Sequence, residues 1–330
     1  MHKVDPKLKL GGPIFTGVIK DIETWPDAQG RTSWTRRFID YLQTHGHLGD
    51  LAFFSFEHYP MEPCKIQWSN LYDEPALVTN ILHIWREDGV PANVPMFITE
   101  SNIAYLSEEA YVDIWGGLWL ADYIGSYMTA GGNAVYYFHY LPLGIHRGCS
   151  GSLGTFGMFS TDANLHIVQP LSQYFASQLI NLEWVQPGDG VHRLFPAESD
   201  IRDAAGHVLV TSYAVLRPDG QWSLMIVNKD QENDHAVRIA FDDAKAASVS
   251  HFSGSVNAIT FGSAQYQWHP DVRSPIGGKA DPDGPAVRTT IVATEDTSYI
   301  LPKASITVLR GSIASASPVK QIGKQSKRKK

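Results

Sequence analysis

The first half of the chain alternates between short apolar runs and longer segments with helical spacing, and this alternation constrains the fold more than any other feature. The apolar runs are "LKLGGPIFT" (8–16), "DLAFFSFEHYP" (50–60), "VPMFITE" (94–100) and "AVYYFHY" (134–140). Continuous runs of this kind are typical of strands buried in a parallel sheet. Four consecutive strand-helix units therefore predict a parallel sheet with crossover helices, an α/β architecture.

Turn and capping residues predict the limits of the helices. Thr32 and Asp73 are candidate N-caps for the first two helices, which are expected to end at Gly46 and Gly89. A third helix is expected from Ser107. A fourth is expected over "QPLSQYFASQLINL", after a long glycine-rich loop.

The pattern changes near Glu183 to short strand-like runs separated by turn residues. The clearest case is "HVLVTSYAVLRPDGQWSLMIVNKD", in which Asp219-Gly220 is a hairpin turn between two apolar runs. Residues 183–312 are therefore predicted to form an antiparallel β-sandwich after a strand-helix domain at 1–182. Residues 313–330 are predicted to be a disordered basic tail.

Charge and hydropathy exclude several classes of protein. Six Lys and Arg residues in the last eleven positions, taken from the net charge of −7, leave −13 on the other 319 residues. A body with that charge does not suit nucleic-acid binding. No apolar run has the length of a membrane span, and the N-terminus lacks the apolar core of a signal peptide. We expect a soluble protein, with the compartment left open.

The cysteine content offers two interpretations. Cys64 and Cys149 are too few for a disulfide framework and lack metal-ligand spacing, so no metal site is expected. Two separate thiols are the simpler interpretation. Both residues follow predicted strands on the same side of the sheet, however, and a disulfide between them would indicate an oxidising compartment.

Polar and aromatic residues follow three of the predicted strands: Glu57-His58-Tyr59, Glu100-Ser101-Asn102 and His139-Tyr140. Parallel sheets carry their functional groups at these carboxyl ends. Since no glycine-rich phosphate loop follows any strand, a nucleotide site is disfavoured and no cofactor is expected. Carboxylates combined with His, Tyr and Trp are typical of a carbohydrate site.

The order of segments carries a family resemblance. "VDPKLKLGGP", "LAFFSFEHYP", "VPMFITESN", "AVYYFHY" and a sandwich ending in "LPKASITVLRG" resemble the C-terminal part of clan A retaining glycoside hydrolases, most closely family 39. The resemblance spans about residues 4–312. It implies strands five to eight of a (β/α)8 barrel followed by a β-sandwich. It also implies that Glu100 is the catalytic nucleophile.

The acid/base of that family lies in an Asn-Glu motif at the end of the fourth strand. This chain has no Asn-Glu pair before Gly11. About 180 residues precede the sandwich, whereas a complete barrel needs about 250. The resemblance therefore implies half a barrel without its usual acid/base. Open sheet edges invite pairing, so a homo-oligomer or a separate N-terminal half-barrel chain is expected.

The remaining candidates have open roles. Glu57 is either a replacement acid/base or a salt-bridged residue beside the site. Because side chains alternate along a strand, one of Glu57 and His58 faces the pocket, and His58 is the expected one. The residues expected to bind substrate are His58, Tyr59, Asn102, His139, Tyr140, Trp25 and Trp68.

Three functional hypotheses follow from these residues. The first is a glycosidase by descent that retains its nucleophile. The second is a protein without catalytic activity that binds carbohydrate or only associates with itself. The third is half of a split enzyme that regains activity when its N-terminal half docks. Carbohydrate is the expected substrate or ligand.

Overall fold

The computed structural model describes residues 3–15, 26–148, 151–274, 276–314 and 317–318. Within these ranges the first half contains a parallel sheet with the strand order β1-β2-β3-β4. Its strands are β1 (Leu10–Phe15), β2 (Leu51–His58), β3 (Met96–Ser101) and β4 (Ala134–Tyr137). The helices are α1 (Trp34–Thr44), α2 (Asn70–Glu87), α3 (Ile114–Thr129) and α4 (Ser172–Gln178). The predicted parallel α/β sheet is confirmed.

The helix starts differ from the predicted ones. Ser33, not Thr32, caps α1, and its side-chain oxygen accepts a hydrogen bond from the Arg36 amide. α2 begins at Asn70, which puts Asp73 inside its first turn. α3 begins at Ile114 because a 3₁₀ turn, Glu109–Tyr111, comes first. A second 3₁₀ turn covers Leu48–Asp50, and α4 continues as a wider helical segment, Leu179–Trp184.

The two faces of the parallel sheet differ in burial. On the helix side, the rings of Phe54 and Phe56 are fully buried, with centroids 4.8 and 4.7 Å from the Trp85 ring of α2. On the other side, Ile14 is 60% exposed and Tyr136 is 57% exposed. Parallel sheets normally have both faces covered. This second face is called the open face below.

Gly11 in β1 leaves room for the Phe53 ring on the open face. The Phe53 ring stacks on Phe97 with centroids 5.3 Å apart. It also lies against Gly11, where an added Cβ would come within 2.4 Å of the ring. The first glycine of the "GGP" segment is therefore the residue that lets Phe53 lie flat on the sheet.

Antiparallel strands make up the rest of the described chain. Short ladders between β4 and α4 pair β5 (His146–Arg147) with β6 (Leu153–Gly154), and β7 (Phe159–Thr161) with β8 (Ile167–Pro170). After α4 come β9 (Arg193–Phe195), β10 (Val210–Leu216), β11 (Trp222–Asn228), β12 (His235–Val237), β13 (Phe241–Asp243), β14 (Ser248–Ser250), β15 (Phe252–Gly262), β16 (Tyr266–Pro270), β17 (Gly278–Asp283), β18 (Val287–Ala293), β19 (Tyr299–Leu301), β20 (Ser305–Ile313) and β21 (Ser317–Pro318).

The main antiparallel sheet has the order β18-β15-β20-β11-β10-β9 in the described residues. Smaller sheets pair β12 with β19, β16 with β17, and β13 with β14 and β21. The predicted hairpin is present, since Leu216 pairs with Trp222 and Gly220 turns the chain with φ +81°. An antiparallel β-domain therefore follows the α/β part, as predicted.

One hydrophobic cluster joins the two parts, because it contains Trp85 of α2 together with Val215, Met225 and Ile306 of the antiparallel sheet. The division at residues 182/183 therefore stays a prediction. The proposed basic tail, 313–330, lies mostly outside the described residues. Among the described helices, none combines the length and apolarity needed to cross a bilayer.

Candidate active site

A β-bulge sets the direction of Glu100. Along the β2–β3 ladder Phe56 pairs with Ile98, and the next residue, Glu57, pairs with Glu100, so Thr99 is an extra residue in β3. The Thr99 hydroxyl donates to the Phe56 carbonyl oxygen over 3.2 Å. Simple alternation would place Glu100 on the helix side with Ile98. The bulge instead turns it to the open face, beside Glu57.

The residue after Glu100 faces the opposite way. The Ser101 side chain is fully buried, and its Oγ lies 2.7 Å from the Tyr123 hydroxyl of α3. A helix-side Ser101 is what the bulge predicts for a Glu100 that faces the open side.

Tyr59 holds one oxygen of Glu100. Its hydroxyl donates a hydrogen bond to Glu100 Oε1. Burial raises the pKa of Tyr59 most, and the hydrogen bond to Glu100 and the charges of Glu100 and Glu57 raise it further. The phenol therefore remains a neutral donor at ordinary pH. Of the residues predicted to form the site, the structure brings Glu57, Tyr59 and Glu100 together.

His58 does not face the open side, so the preference for it over Glu57 was wrong. Its Nε2 lies 2.5 Å from Glu74 Oε1 of α2, and both side chains are fully buried. Its ring centroid is 5.2 Å from that of Tyr123. Alternate side chains of β2 point to the same face. Phe54 and Phe56 pack on the helices, and His58, two residues further along, therefore faces the helices as well.

Asn102 has a structural position, contrary to the expectation that it binds substrate. The side chain is fully buried, and its Nδ2 donates to the backbone carbonyl oxygens of Phe138 and Phe156. These bonds tie the end of β3 to the segment that follows β4.

Of the two tryptophans predicted to bind substrate, the structure describes Trp68. Trp68 packs against the hydrophobic core, and its Nε1 donates over 2.7 Å to the Lys229 carbonyl oxygen. It pins the β2–α2 loop to the antiparallel domain, so the expectation that it stacks on a sugar was wrong. Trp25 lies outside the described residues.

The two predicted residues after β4, His139 and Tyr140, contact other parts of the chain. His139 Nδ1 is 2.9 Å from the Leu141 carbonyl oxygen, and the Tyr140 hydroxyl is 3.3 Å from Ser177 Oγ. Tyr140 lines a cavity of about 690 Å³ between β4, α3 and residues 184–188. Neither Glu57 nor Glu100 lines this cavity. In the described part of the chain, their side of the sheet is the open face, where Ile14 and Tyr136 are exposed.

Glu108 is a carboxylate that sequence reasoning missed. Its Oε1 accepts a hydrogen bond from the Cys64 amide over 3.2 Å, and burial raises its pKa. Glu108 lies in a loop, so the strand and helix spacing of the sequence could not identify it. Cys64 is disulfide-bonded, whereas Cys149 lies outside the described residues, so the pairing of the two stays a prediction. In the ranges the structure describes, no group of three or more His, Cys, Asp or Glu is arranged to hold a metal ion.

Comparison with known proteins gives matches in structure but not in sequence. No protein-family profile and no curated protein matches the sequence. The fold matches the family 44 endoglucanase Cel44A from Clostridium thermocellum with a TM-score of 0.58 at 15% identity, over 94% of this chain and 58% of the other. It matches a family 44 xyloglucanase from Paenibacillus polymyxa with a TM-score of 0.57 at 12% identity, over 94% and 58%.

A third match is the family 51 α-L-arabinofuranosidase from Thermotoga petrophila RKU-1, with a TM-score of 0.52 at 14% identity over 94% of this chain and 59% of the other. At such identities these matches establish the fold alone. The fold is part of the barrel-plus-sandwich architecture of glycoside hydrolases. The chain spans 58–59% of the length of these three structures.

Proposed function

We propose that this chain is the nucleophile-bearing part of a retaining glycoside hydrolase and that Glu100 is the nucleophile. The observation that carries the proposal is the Thr99 bulge, which turns Glu100 to the open face at the carboxyl end of a parallel strand, against the Tyr59 hydroxyl. In barrels of this type that end holds the catalytic groups. The partial hydrolase fold supports the same assignment.

The geometry suggests how Glu100 acts. Tyr59 engages Oε1, so Oε2 is the oxygen offered to the anomeric carbon. Its attack forms a glycosyl-enzyme ester, which water then hydrolyses with net retention. Tyr59 is a positioning residue, because its hydrogen bond to Oε1 fixes the orientation of the carboxylate. Family 39 is the proposed finer assignment, and carbohydrate is the proposed ligand.

The open face supports a proposal about assembly. Within the described residues, β1 and β4 each pair on one side only, and a closed barrel of this kind needs eight strands. We propose that a second copy of the chain or an N-terminal half-barrel completes the sheet. Sedimentation equilibrium separates the two: a dimer that Tyr136→Lys dissociates favours the second copy, and a monomer favours the half-barrel.

Covalent trapping tests the role of Glu100. The chain is incubated with 2,4-dinitrophenyl 2-deoxy-2-fluoro glycosides of β-D-glucose, β-D-xylose and α-L-arabinofuranose, and its peptides are mapped by mass spectrometry. We expect one fluoroglycosyl group on the peptide that contains Glu100, and none in Glu100→Gln. Glu87→Gln is the matched control, because Glu87 is a surface residue of α2 with a 66% exposed side chain.

Other outcomes would refute the proposal. Labelling of another carboxylate would reassign the nucleophile. No labelling and no turnover of any aryl glycoside, with sugar binding intact, would favour the alternative of a carbohydrate-binding protein without catalytic activity.

A further inference from the structure

Glu57 stands beside Glu100 in the sheet. The two residues are ladder partners on adjacent parallel strands, so their side chains leave the sheet on the same face. Adjacent strands lie about 4.7–4.9 Å apart. Retaining glycosidases hold their two carboxyl groups about 5–5.5 Å apart. The β2–β3 pair therefore places two carboxyl-bearing side chains next to each other on the open face, and the reaction uses two carboxyl groups.

Three buried carboxylates of the described chain are paired away from the open face. Glu74 is sealed with His58 on the helix side. Asp122 is bound to Lys229, with both side chains fully buried. Glu183 is 9% exposed and is paired with Arg288 and Arg310 of the antiparallel sheet. None of these lies on the open face beside the nucleophile.

The hydrogen bond from Tyr59 distinguishes the two neighbours. Tyr59 donates its hydrogen bond to Glu100, which makes Glu100 the positioned carboxylate. Glu57 is the second carboxyl group on the same face of the sheet.

We propose that Glu57 is the acid/base of the reaction, which rests on the proposed function of Glu100. In the first step Glu100 Oε2 bonds to the anomeric carbon. The bond from that carbon to the leaving oxygen breaks, and this oxygen keeps the electron pair and takes the proton of Glu57. In the second step the Glu57 carboxylate takes a proton from water, the water oxygen bonds to the anomeric carbon, and Glu100 leaves as a carboxylate.

Assembly then has a different role. If both carboxyl groups come from β2 and β3, the described chain holds the chemical groups of the reaction. A closing partner would supply walls for the substrate rather than the proton. The acid would also sit beside the nucleophile in one sheet instead of on a strand across the barrel.

Leaving-group dependence tests this assignment. Turnover of 2,4-dinitrophenyl and phenyl glycosides is compared for the wild type, Glu57→Gln, Glu100→Gln and Glu87→Gln, with thermal unfolding as the check on folding. A dinitrophenolate leaves without a proton, whereas a phenolate needs one. We expect Glu57→Gln to slow the phenyl glycoside by about 10²- to 10⁴-fold and to form the glycosyl-enzyme from the dinitrophenyl glycoside within a few-fold of the wild-type rate.

Two further readouts separate an acid/base from a residue that only supports the fold. Glu57→Gln should lose the alkaline limb of the pH–rate profile on the phenyl glycoside. Added azide should restore its turnover of the dinitrophenyl glycoside and give a glycosyl azide, because azide attacks without needing a general base. Glu57→Asp, which keeps a carboxyl group, should retain part of the phenyl glycoside rate and serves if Glu57→Gln does not fold.

The outcomes separate the two proposals. If Glu100→Gln abolishes turnover while Glu57→Gln slows neither substrate, or slows both equally without azide rescue, the role of Glu57 is refuted and that of Glu100 stands. If the wild type turns over neither substrate, both proposals fail.

Discussion

A buried ion pair ties the parallel sheet to the antiparallel domain, and its removal is the sharpest stability test. Lys229 Nζ lies 2.8 Å from Asp122 Oδ2, and both side chains are 0% exposed. Lys229 Nζ also donates to the Leu71 carbonyl oxygen over 3.3 Å. Asp122 Oδ1 accepts hydrogen bonds from Thr211 and Tyr213. The pair thus joins α3 to β10 and to the residue after β11.

Lys229→Met removes the cation but leaves the buried carboxylate. Its Oδ1 keeps two hydroxyl donors, whereas its Oδ2 loses the bond from Lys229. Stranding one member of a buried pair costs about 3–5 kcal/mol, a large part of the ~5–15 kcal/mol that stabilises a typical protein. Replacing both charges, as in Asp122→Asn with Lys229→Met, removes the desolvated ions together. We expect the double variant to lose less than half as much as the single one.

Urea unfolding followed by tryptophan fluorescence measures these differences. Trp184 is a suitable reporter, because it is 2% exposed and its Nε1 donates to the Tyr213 carbonyl oxygen at the same junction. Lys65→Met is the control, since the Lys65–Glu62 pair has side chains 68% and 66% exposed and should contribute less than about 1 kcal/mol. A Lys229→Met loss below about 1 kcal/mol, or a double variant with strictly additive losses, would refute the reasoning.

Three further predictions concern the site, the sheet and pH. Tyr59→Phe removes a hydrogen bond to a charged oxygen, worth about 1.5–3 kcal/mol, and should lower kcat/KM on an activated glycoside about tenfold to a hundredfold with the fold intact; an unchanged rate would contradict the positioning role. Gly11→Val should destabilise the chain by about 1–3 kcal/mol by displacing the Phe53 ring, whereas Gly49→Ala, where an added Cβ meets nothing within 4 Å, should be near neutral; equal melting temperatures for the two variants would refute this. Burial raises the pKa of several tyrosines above the ordinary value, and their contribution to stability is present below about pH 10 and lost as pH rises above it. Absorbance at 295 nm should therefore show exposed tyrosines such as Tyr105 ionising first, and the buried ones only together with loss of circular dichroism. Ionisation of all fourteen tyrosines in a chain that keeps its circular dichroism would contradict the raised pKa values of Tyr123, Tyr213 and Tyr266.

The strands and their order were predictable because their signals are local. The apolar runs around Phe54 and Ile98 identify buried parallel strands, and Asp219-Gly220 identifies the hairpin. The helix starts were less predictable, since Thr32 and Ser33 are both good caps and only the backbone path selects between them. Side-chain bonds to distant backbone were not predictable at all. The Trp68 bond to Lys229 joins residues 161 positions apart.

The sequence predicts that Glu100 lies at the end of a strand, but it does not predict which face of the sheet its side chain points to. Strict alternation from Phe97 gives Glu100 the helix side, and a one-residue irregularity reverses every side chain that follows it. No residue in "FITES" marks the bulge, because a threonine fits a regular strand equally well. The preference for His58 was wrong for a similar reason. Which side chains of β2 face the helices is decided by the packing of Phe56 on Trp85 of α2, a contact made only in the folded chain.

The Thr99 bulge in β3 and the regular alternation of β2 together determine where the two glutamates lie. β2 runs without interruption and turns Glu57 to the open face through simple alternation, whereas β3 needs an extra residue to turn Glu100 the same way. A regular ladder would have separated the two carboxyl groups by the thickness of the sheet. Bulges occur beside active sites because they redirect a side chain in this way. The Thr99 bulge therefore places the carboxyl-bearing side chains of two neighbouring strands on one face of the sheet, where the Tyr59 hydroxyl bonds to that of Glu100.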